Sequence, residues 1–198
     1  VAAKADAEKG DVVLIADTGA STTASNGFTY KTEGDVTSVS PDNGQHGTVV
    51  TIGGDNLRGY GSKVESVTLG GKAATVKSEN DTEVVVAAGI GPSEETVGDV
   101  VLTADSGAVV TEKEGFKYLA PGDIRLVRPD KGQVDTEVNI VGTRLCGGGT
   151  KIVSVTLVGK AATVTSNDCN LVVIKAGDLG STSTGAVTLV SDTGAIVT

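Results

Sequence analysis

The chain has 198 residues, with 25 acidic and 16 basic side chains and a formal net charge of −9 at pH 7. An acidic chain of this kind is a poor ligand for nucleic acid or an anionic membrane surface. Its longest apolar run, Val84 to Ile90, has seven residues, far fewer than the ~20 of a membrane-spanning helix. A hydrophobic content of 38% predicts a folded globular chain. Composition therefore excludes a nucleic-acid partner and a membrane span in this segment.

The sequence repeats itself at an offset of 88 residues. Gly71–Val76 recurs unchanged as Gly159–Val164, and Ser66–Leu69 recurs unchanged as Ser154–Leu157. A period of this length is typical of a bead-like domain with its own core rather than of a solenoid unit.

A third, partial copy precedes the other two. Gly27–Tyr30 has the same Gly-Phe-Thr/Lys-Tyr pattern as Gly115–Tyr118. The predicted domains are therefore 1–33, the C-terminal strands of a preceding repeat; 34–120, a complete repeat; and 121–198, a repeat without its last strand. We expect the chain to be a segment of a longer array, so that fragment boundaries explain the incomplete last copy; acceptance of a strand from a neighbouring chain is the weaker alternative.

Within the complete copy, short runs rich in Val, Ile and Thr alternate with turn residues, and no helical spacing is present. Seven strands in under 90 residues predict an all-β, two-layer sandwich. The predicted strands are Val36–Ser40, Thr48–Gly53, Lys63–Leu69, Ala73–Lys77, Glu83–Ala87, Asp99–Ala104, and Ala108–Thr111 continuing to Phe116–Tyr118.

Differences between the copies predict which side chains face the core. Val50 and Ile52 stay apolar in the next copy, whereas Val49 and Thr51 are replaced by polar residues. Because strand side chains alternate, we expect the first pair to be buried and the second to face water. One strand occurs in all three copies, and its predicted core residues are Val12, Val100 and Val187 at one position and Leu14, Leu102 and Leu189 at the other.

The motifs of the complete copy are similar to those of a known family. They comprise Val39-Ser40-Pro41 followed by spaced glycines, the segment Val67–Gly71, and the closing Gly115-Phe116-x-Tyr118. The pattern resembles the IPT/TIG domain, an immunoglobulin-like sandwich of plexins and related receptors, transcription factors, some polysaccharide-acting enzymes and large surface proteins. The resemblance implies tandem immunoglobulin-like sandwiches. It does not fix a function, since members of the family do unrelated jobs.

Two cysteines, Cys146 and Cys169, lie in the last copy, where the preceding copy has the oppositely charged Arg58 and Asp81. If these positions touch, one copy uses an ion pair where the other uses a disulfide. We favour a Cys146–Cys169 disulfide and with it an oxidising, extracellular or cell-surface location. Two free buried thiols are the alternative.

Two segments are candidates for glycosylation. Asn80-Asp81-Thr82 is an N-glycosylation sequon in a predicted turn, so Asn80 is a candidate site in a eukaryotic source. Ser181–Thr184 is either an O-glycosylated segment or a plain polar loop.

The residue inventory predicts that the chain is not an enzyme and needs no cofactor or metal. His46 is the only histidine of the chain. A nucleophilic Ser or Cys therefore has no histidine base to form a catalytic triad, and a zinc ion would lack enough Cys and His ligands. The glycine run before Lys151 lacks the spacing of a phosphate-binding loop. Acidic turns, such as those with Asp42, Asp55 and Asp105, either hold calcium at a junction or are simply solvated.

Short linkers suggest how the copies are arranged. Tyr118 and Gly122 are separated by three residues, and so are Tyr30 and Gly34, fewer than a flexible tether would need. We therefore predict a rod whose partners are neighbouring repeats and other copies in a filament. The leading hypothesis is a structural segment of a cell-surface filament, appendage or adhesin stalk. The alternative is a carbohydrate- or protein-binding module of a receptor ectodomain, for which Tyr60 is the lone aromatic candidate.

Overall fold

The computed structural model describes residues 8–198, and residues 1–7 of the first predicted segment lie outside them. The described chain forms β-strands and contains no helix. It divides into two compact units, one up to Gly34 and the other from Asp35 to Thr198.

The first unit is an antiparallel hairpin of β1 (Lys9–Ile15) and β2 (Ser21–Thr29). Its turn is closed by the Ala16 N–H, which donates to the Ala20 carbonyl at 2.8 Å. The prediction that Val12 and Leu14 lie in a core was wrong here, because their exposed fractions are 38% and 65%. A two-stranded hairpin has no second layer of its own to cover its apolar face.

The second unit begins with repeat 1, the sandwich that ends at Tyr118. Its strands are β3 (Asp35–Ser40), β4 (Asn43–Gly44), β5 (Val49–Asp55), β6 (Val64–Leu69), β7 (Lys72–Glu79), β8 (Glu83–Ala87), β9 (Thr96–Ala104) and β10 (Val109–Tyr118). They follow the order β3-β5-β8-β7-β6-β9-β10-β4. β7 changes layers, because its first residues pair with β6 and its last with β8.

Repeat 2 follows with the same strand order. Its strands are β11 (Asp123–Arg128), β12 (Glu137–Thr143), β13 (Ile152–Leu157), β14 (Lys160–Asn167), β15 (Leu171–Lys175), β16 (Val187–Ser191) and β17 (Ile196–Val197). They follow the order β11-β12-β15-β14-β13-β16-β17. Residues 121–198 contain no counterpart of β4 or of the second half of β10.

The core of repeat 1 lies between the two layers, as the alternation predicted. Val50 and Ile52 are fully buried, while Val49 is 42% exposed. Phe116 and Tyr118 are buried at one end of this core with their rings edge to face, the centroids 5.1 Å apart. The all-β prediction and the strand assignment of repeat 1 are thereby confirmed. The two-residue strand β4 was missed because it is too short to show a periodic pattern.

Candidate functional site: the junction between the two repeats

The linker between the repeats is fixed at both ends by hydrogen bonds. The Leu119 N–H donates to the Gly44 carbonyl at 2.7 Å, and the Gly122 N–H donates to Gln45 Oε1 at 2.7 Å. The Arg144 guanidinium donates twice to the Pro121 carbonyl, at 3.1 Å each. The few linker residues are therefore held by side chains and backbone of both repeats.

Backbone groups of the two repeats also pair directly. The Val49 N–H of repeat 1 donates to the Thr193 carbonyl of repeat 2 at 2.8 Å, and the Ile196 N–H donates back to the His46 carbonyl at 2.8 Å. These reciprocal bonds link the start of β5 to the turn before β17. Such main-chain pairing fixes orientation, because each bond joins a strand residue of one repeat to a turn of the other.

The backbones approach so closely here that one position requires glycine. Gly47 has φ +86°, and a Cβ on it would lie 2.7 Å from Ile196 Cγ1 and 2.8 Å from the Gly194 carbonyl oxygen. A side chain would therefore push the repeats apart and would also be strained by the left-handed backbone. In repeat 2 the equivalent residue is Asp135, also at positive φ, and it is exposed.

Gln45 is the buried polar residue of the junction, and sequence reasoning missed it. It is 3% exposed, and its N–H donates to Thr48 Oγ1 at 3.1 Å in a local turn. The turn recurs in repeat 2, where the Gln133 N–H donates to Thr136 Oγ1 at 2.9 Å. There Gln133 is exposed. The signal available in the sequence was the recurrence of this Gln at the 88-residue offset.

The structure joins Cys146 to Cys169, with an S–S distance of 2.09 Å and a Cα–Cα distance of 5.0 Å. The bond ties the loop after β12 to the turn between β14 and β15, where the Leu145 N–H also donates to the Cys169 carbonyl at 3.0 Å. Gly147, which directly follows Cys146 in the loop after β12, packs against Gln45 of repeat 1. The disulfide therefore holds a loop that forms part of the junction.

In repeat 1 the position of Cys146 is taken by Arg58, whose partner differs from the expected one. Arg58 Nε donates to Glu79 Oε2 at 2.9 Å, whereas Asp81 accepts only the Arg58 backbone N–H, at 3.1 Å. The hydrogen bond from Arg58 holds the pKa of the Glu79 carboxyl below its usual value. Repeat 1 thus has an ion pair at this loop, made with Glu79 rather than Asp81.

The Asn80 side chain closes a turn. Its Oδ1 accepts hydrogen bonds from the Thr82 N–H and the Glu83 N–H, both at 2.8 Å. In repeat 2 the carboxylate of Asp168 closes the same turn, and the two backbone N–H groups that it accepts lower its pKa. The turn therefore accounts for a short polar side chain here, and glycosylation of Asn80 stays a prediction.

The other candidate residues lie apart from one another in the turns. His46 is exposed and contributes its backbone carbonyl to the junction. Asp105 accepts the Ser62 N–H at 2.9 Å, and Asp192 does the same for the Thr150 N–H after the glycine run. Across residues 8–198, no three His, Cys, Asp or Glu side chains are grouped as a metal site.

The far end of repeat 2 carries an open groove with a volume of about 590 Å³. Its apolar lining includes Val127, Val138, Leu157, Val158, Leu179 and Val187. Leu157 and Val187 are only partly buried, whereas their counterparts in repeat 1, Leu69 and Val100, are fully buried. In repeat 1 the equivalent end of the core is closed by β4 and the end of β10.

Two layers of antiparallel strands with this order define an immunoglobulin-like β-sandwich. The IPT/TIG domain model matches residues 35–118, so the chain carries an IPT/TIG domain over repeat 1. Repeat 2 shares its strand order and its repeated motifs.

Among solved structures, the plexin A4 full extracellular region is 18% identical over 83% of this chain and 15% of that chain, with a TM-score of 0.53. A Bacteroides uniformis SGBP-B from a xyloglucan utilization locus is 21% identical over 83% of this chain and 48% of its own, with a TM-score of 0.30. This chain thus spans a minor part of each. The plexin likeness shows the fold, and no curated protein matches the sequence.

Residues 8–198 contain no helix long and apolar enough to cross a membrane.

Proposed function

We propose that the chain is a structural segment of a longer extracellular or cell-surface protein, in which docked IPT/TIG repeats build a filament, appendage or adhesin stalk. The observation that carries the proposal is the junction. A connection of a few residues is bonded at both ends, and the reciprocal backbone bonds of Val49 and Ile196 join the two sandwiches. A spacer needs such a fixed orientation, because a flexible joint would not transmit position from one repeat to the next.

The disulfide supports the extracellular setting, since such bonds persist in oxidising compartments and are rare in the cytosol. The dispersed side chains support a non-catalytic role. The one His is exposed in a turn, and the carboxylates Asp105 and Asp192 are occupied as turn caps. A domain that is repeated along an array needs a packed core and a soluble surface, and the buried aliphatic and exposed acidic side chains of these repeats supply them.

A carbohydrate- or protein-binding module is the second candidate function. The observation that favours it is Tyr60, which is 55% exposed on a loop of repeat 1 at φ +63°. Stacking on a sugar needs such an exposed ring. If this role is correct, retention on a glycan array is expected and is lost in Tyr60→Ala.

The proposed spacer role is tested by loosening the junction at Gly47. We expect Gly47→Ala to separate the two repeats, because a Cβ there meets Ile196 and the Gly194 carbonyl. Gly71→Ala is the matched control, since Gly71 has φ +75° and open space around it. Both variants carry the strain of a left-handed alanine, ~1 kcal/mol, so only the clash differs.

The measurement is ¹⁵N relaxation of the two repeats in the same chain. In wild type and Gly71→Ala, both repeats should have one rotational correlation time, and in Gly47→Ala two shorter ones. Separate tumbling of the repeats in wild type would contradict a fixed junction and with it the spacer role.

A further inference from the structure

The outer face of one layer of repeat 2 carries a row of apolar side chains. Val141 of β12 lies opposite Leu126 of β11 on one side and opposite Leu171 of β15 on the other. Leu126, Val141 and Leu171 are 41%, 36% and 40% exposed. They point away from the core, because strand side chains alternate and the adjacent Ile140 and Val172 are fully buried. We call these three residues the apolar row.

Repeat 1 has no such row. At the 88-residue offset its residues are Ser38, Gly53 and Glu83, which lie opposite one another in the same register. The layer itself is the same, since β11-β12-β15-β14 corresponds strand for strand to β3-β5-β8-β7. Single exposed apolar side chains are ordinary on protein surfaces. Three that adjoin across a sheet, at positions that the same fold fills with Ser, Gly and Glu, indicate a surface that another molecule covers.

Oppositely charged residues lie at equal distances on the two sides of the apolar row. On β12, Asn139 and Thr143 each lie two residues from Val141. The partner of Asn139 on β11 is Arg128, and the partner of Thr143 is Asp123. The register therefore places a positive side chain one step above the row and a negative side chain one step below it.

Both charged side chains are accessible to a partner. Arg128 is exposed and forms no ion pair with any residue of 8–198. Asp123 is exposed and accepts a hydrogen bond from Arg125 Nε at 3.3 Å, a surface pair of little stability.

We propose that the apolar row binds the same row of a second copy of the chain, with the two sheets packed face to face. A twofold axis along the row stacks β11 on β11 in the opposite direction. Arg128 of each copy then faces Asp123 of the other, while the leucine and valine side chains are removed from water between them. Because the same surface serves both copies, the contact is isologous and closes at two chains.

This contact goes beyond the proposed function, because a spacer with a fixed junction needs no side-by-side contact. Three apolar side chains from each copy make a small interface, so the isolated chain is expected to dimerise weakly and reversibly.

The apolar row is tested in the intact chain by giving it residues of repeat 1. Leu126→Ser/Leu171→Glu does so, and Val153→Glu/Val190→Thr is the matched control, since it also introduces the repeat 1 residues but on the opposite layer. By sedimentation equilibrium, wild type and control are expected to dimerise alike. The dissociation constant of the row variant should be at least about tenfold higher. A wild-type chain that is monomeric up to about 1 mM, or equal association of the row variant and wild type, would overturn the inference.

A charge exchange checks the orientation of the two copies. Arg128→Asp places two carboxylates opposite each other and is expected to weaken the dimer, and Arg128→Asp/Asp123→Arg is expected to restore it. If β11 of one copy instead lies on β15 of the other, the second change does not restore association. Weakening without recovery, or assemblies larger than two chains that the row variant abolishes, would overturn the twofold contact.

The spacer role does not depend on this outcome. The fixed junction is tested by the relaxation measurement on Gly47→Ala, made at a concentration where sedimentation shows a monomer.

Discussion

At the residue scale, Gln45 has the most distinctive role at the junction. Its backbone closes a turn with Thr48 inside repeat 1, while its side chain accepts the Gly122 N–H from the linker. Gln133 makes the same turn but is exposed, so the two residues differ in what covers them rather than in local structure. Gln133 thus contributes only to its local turn, whereas Gln45 contributes to the same turn and also to the junction.

We expect Gln45→Ala to loosen the linker, because the Gly122 N–H loses its acceptor at a cost of ~1 kcal/mol. Hydrogen exchange at the Gly122 amide should speed up by about fivefold, which is that free energy expressed as a rate ratio. Gln133→Ala is the matched control, since it removes the same side chain where no repeat covers it. Unchanged exchange at Gly122 in Gln45→Ala would show that the side-chain bond does not hold the linker.

The Arg58–Glu79 pair gives repeat 1 a pH-dependent contribution to stability. The hydrogen bond from Arg58 lowers the pKa of Glu79 from 4.5. A carboxyl with a lowered folded-state pKa stabilises the fold above its unfolded value, and this contribution disappears as the pH falls through the folded value.

Glu79→Gln should therefore reduce the unfolding free energy of repeat 1 by about 1–2 kcal/mol at pH 7, the scale of a hydrogen bond to a charged group. The difference from wild type should shrink as the pH falls below 4.5. Denaturant titrations from pH 7 downward measure it, with Glu83→Gln as an exposed control. A constant difference across that range would mean that Glu79 acts through packing alone.

At the element scale, the sequence was informative where the pattern is local and uninformative where the partner is distant. Strands such as β5 and β8 follow from alternation and turn residues, and the buried positions Val50 and Ile52 follow from comparing copies. The partner of Arg58 could not be predicted in the same way. Glu79 and Asp81 are two residues apart in the sequence, and which carboxylate the guanidinium reaches depends on the path of the loop over β7.

The prediction that Val12 and Leu14 are buried failed for the same kind of reason, because it depended on a partner distant in the sequence. Their pattern is that of a core strand, but burial requires a facing layer, and the described hairpin has only β1 and β2. The junction was also beyond prediction from the pattern. Short linkers indicated close repeats, whereas the bonds of Val49, Ile196 and Gln45 depend on how two folded surfaces meet.

The disulfide should stabilise repeat 2 much more than repeat 1, because both of its cysteines lie in repeat 2. Cys146 and Cys169 are 23 residues apart, and closing a loop of that size contributes ~3 kcal/mol. Cys146→Ser/Cys169→Ser should therefore lower protection in β12–β15 by hydrogen-exchange mass spectrometry, while β5–β8, which are the same strands in the repeat without cysteines, serve as the internal control. An equal loss of hydrogen-exchange protection in β5–β8 and β12–β15 would show instead that the disulfide stabilises both repeats together.

At the scale of the whole molecule, two sandwiches with the same strand order lie within one compact unit from Asp35 to Thr198. The net charge of −9 keeps such a chain soluble and is unsuited to nucleic acid. Chemistry-bearing side chains are few, and the carboxylates of the turns are used as caps. What distinguishes the unit is the junction, which combines a short linker, reciprocal backbone bonds, a glycine at the closest approach and a loop held by a disulfide.

The fixed orientation of the two repeats is tested most directly by residual dipolar couplings measured on the wild-type chain in a weakly aligning medium. The backbone couplings of 35–118 and 121–198 should fit one common alignment tensor, because the hydrogen bonds of Gln45, Val49 and Ile196 hold the sandwiches as one body. Two tensors of different magnitude or direction would show that the repeats move independently, and would contradict the account.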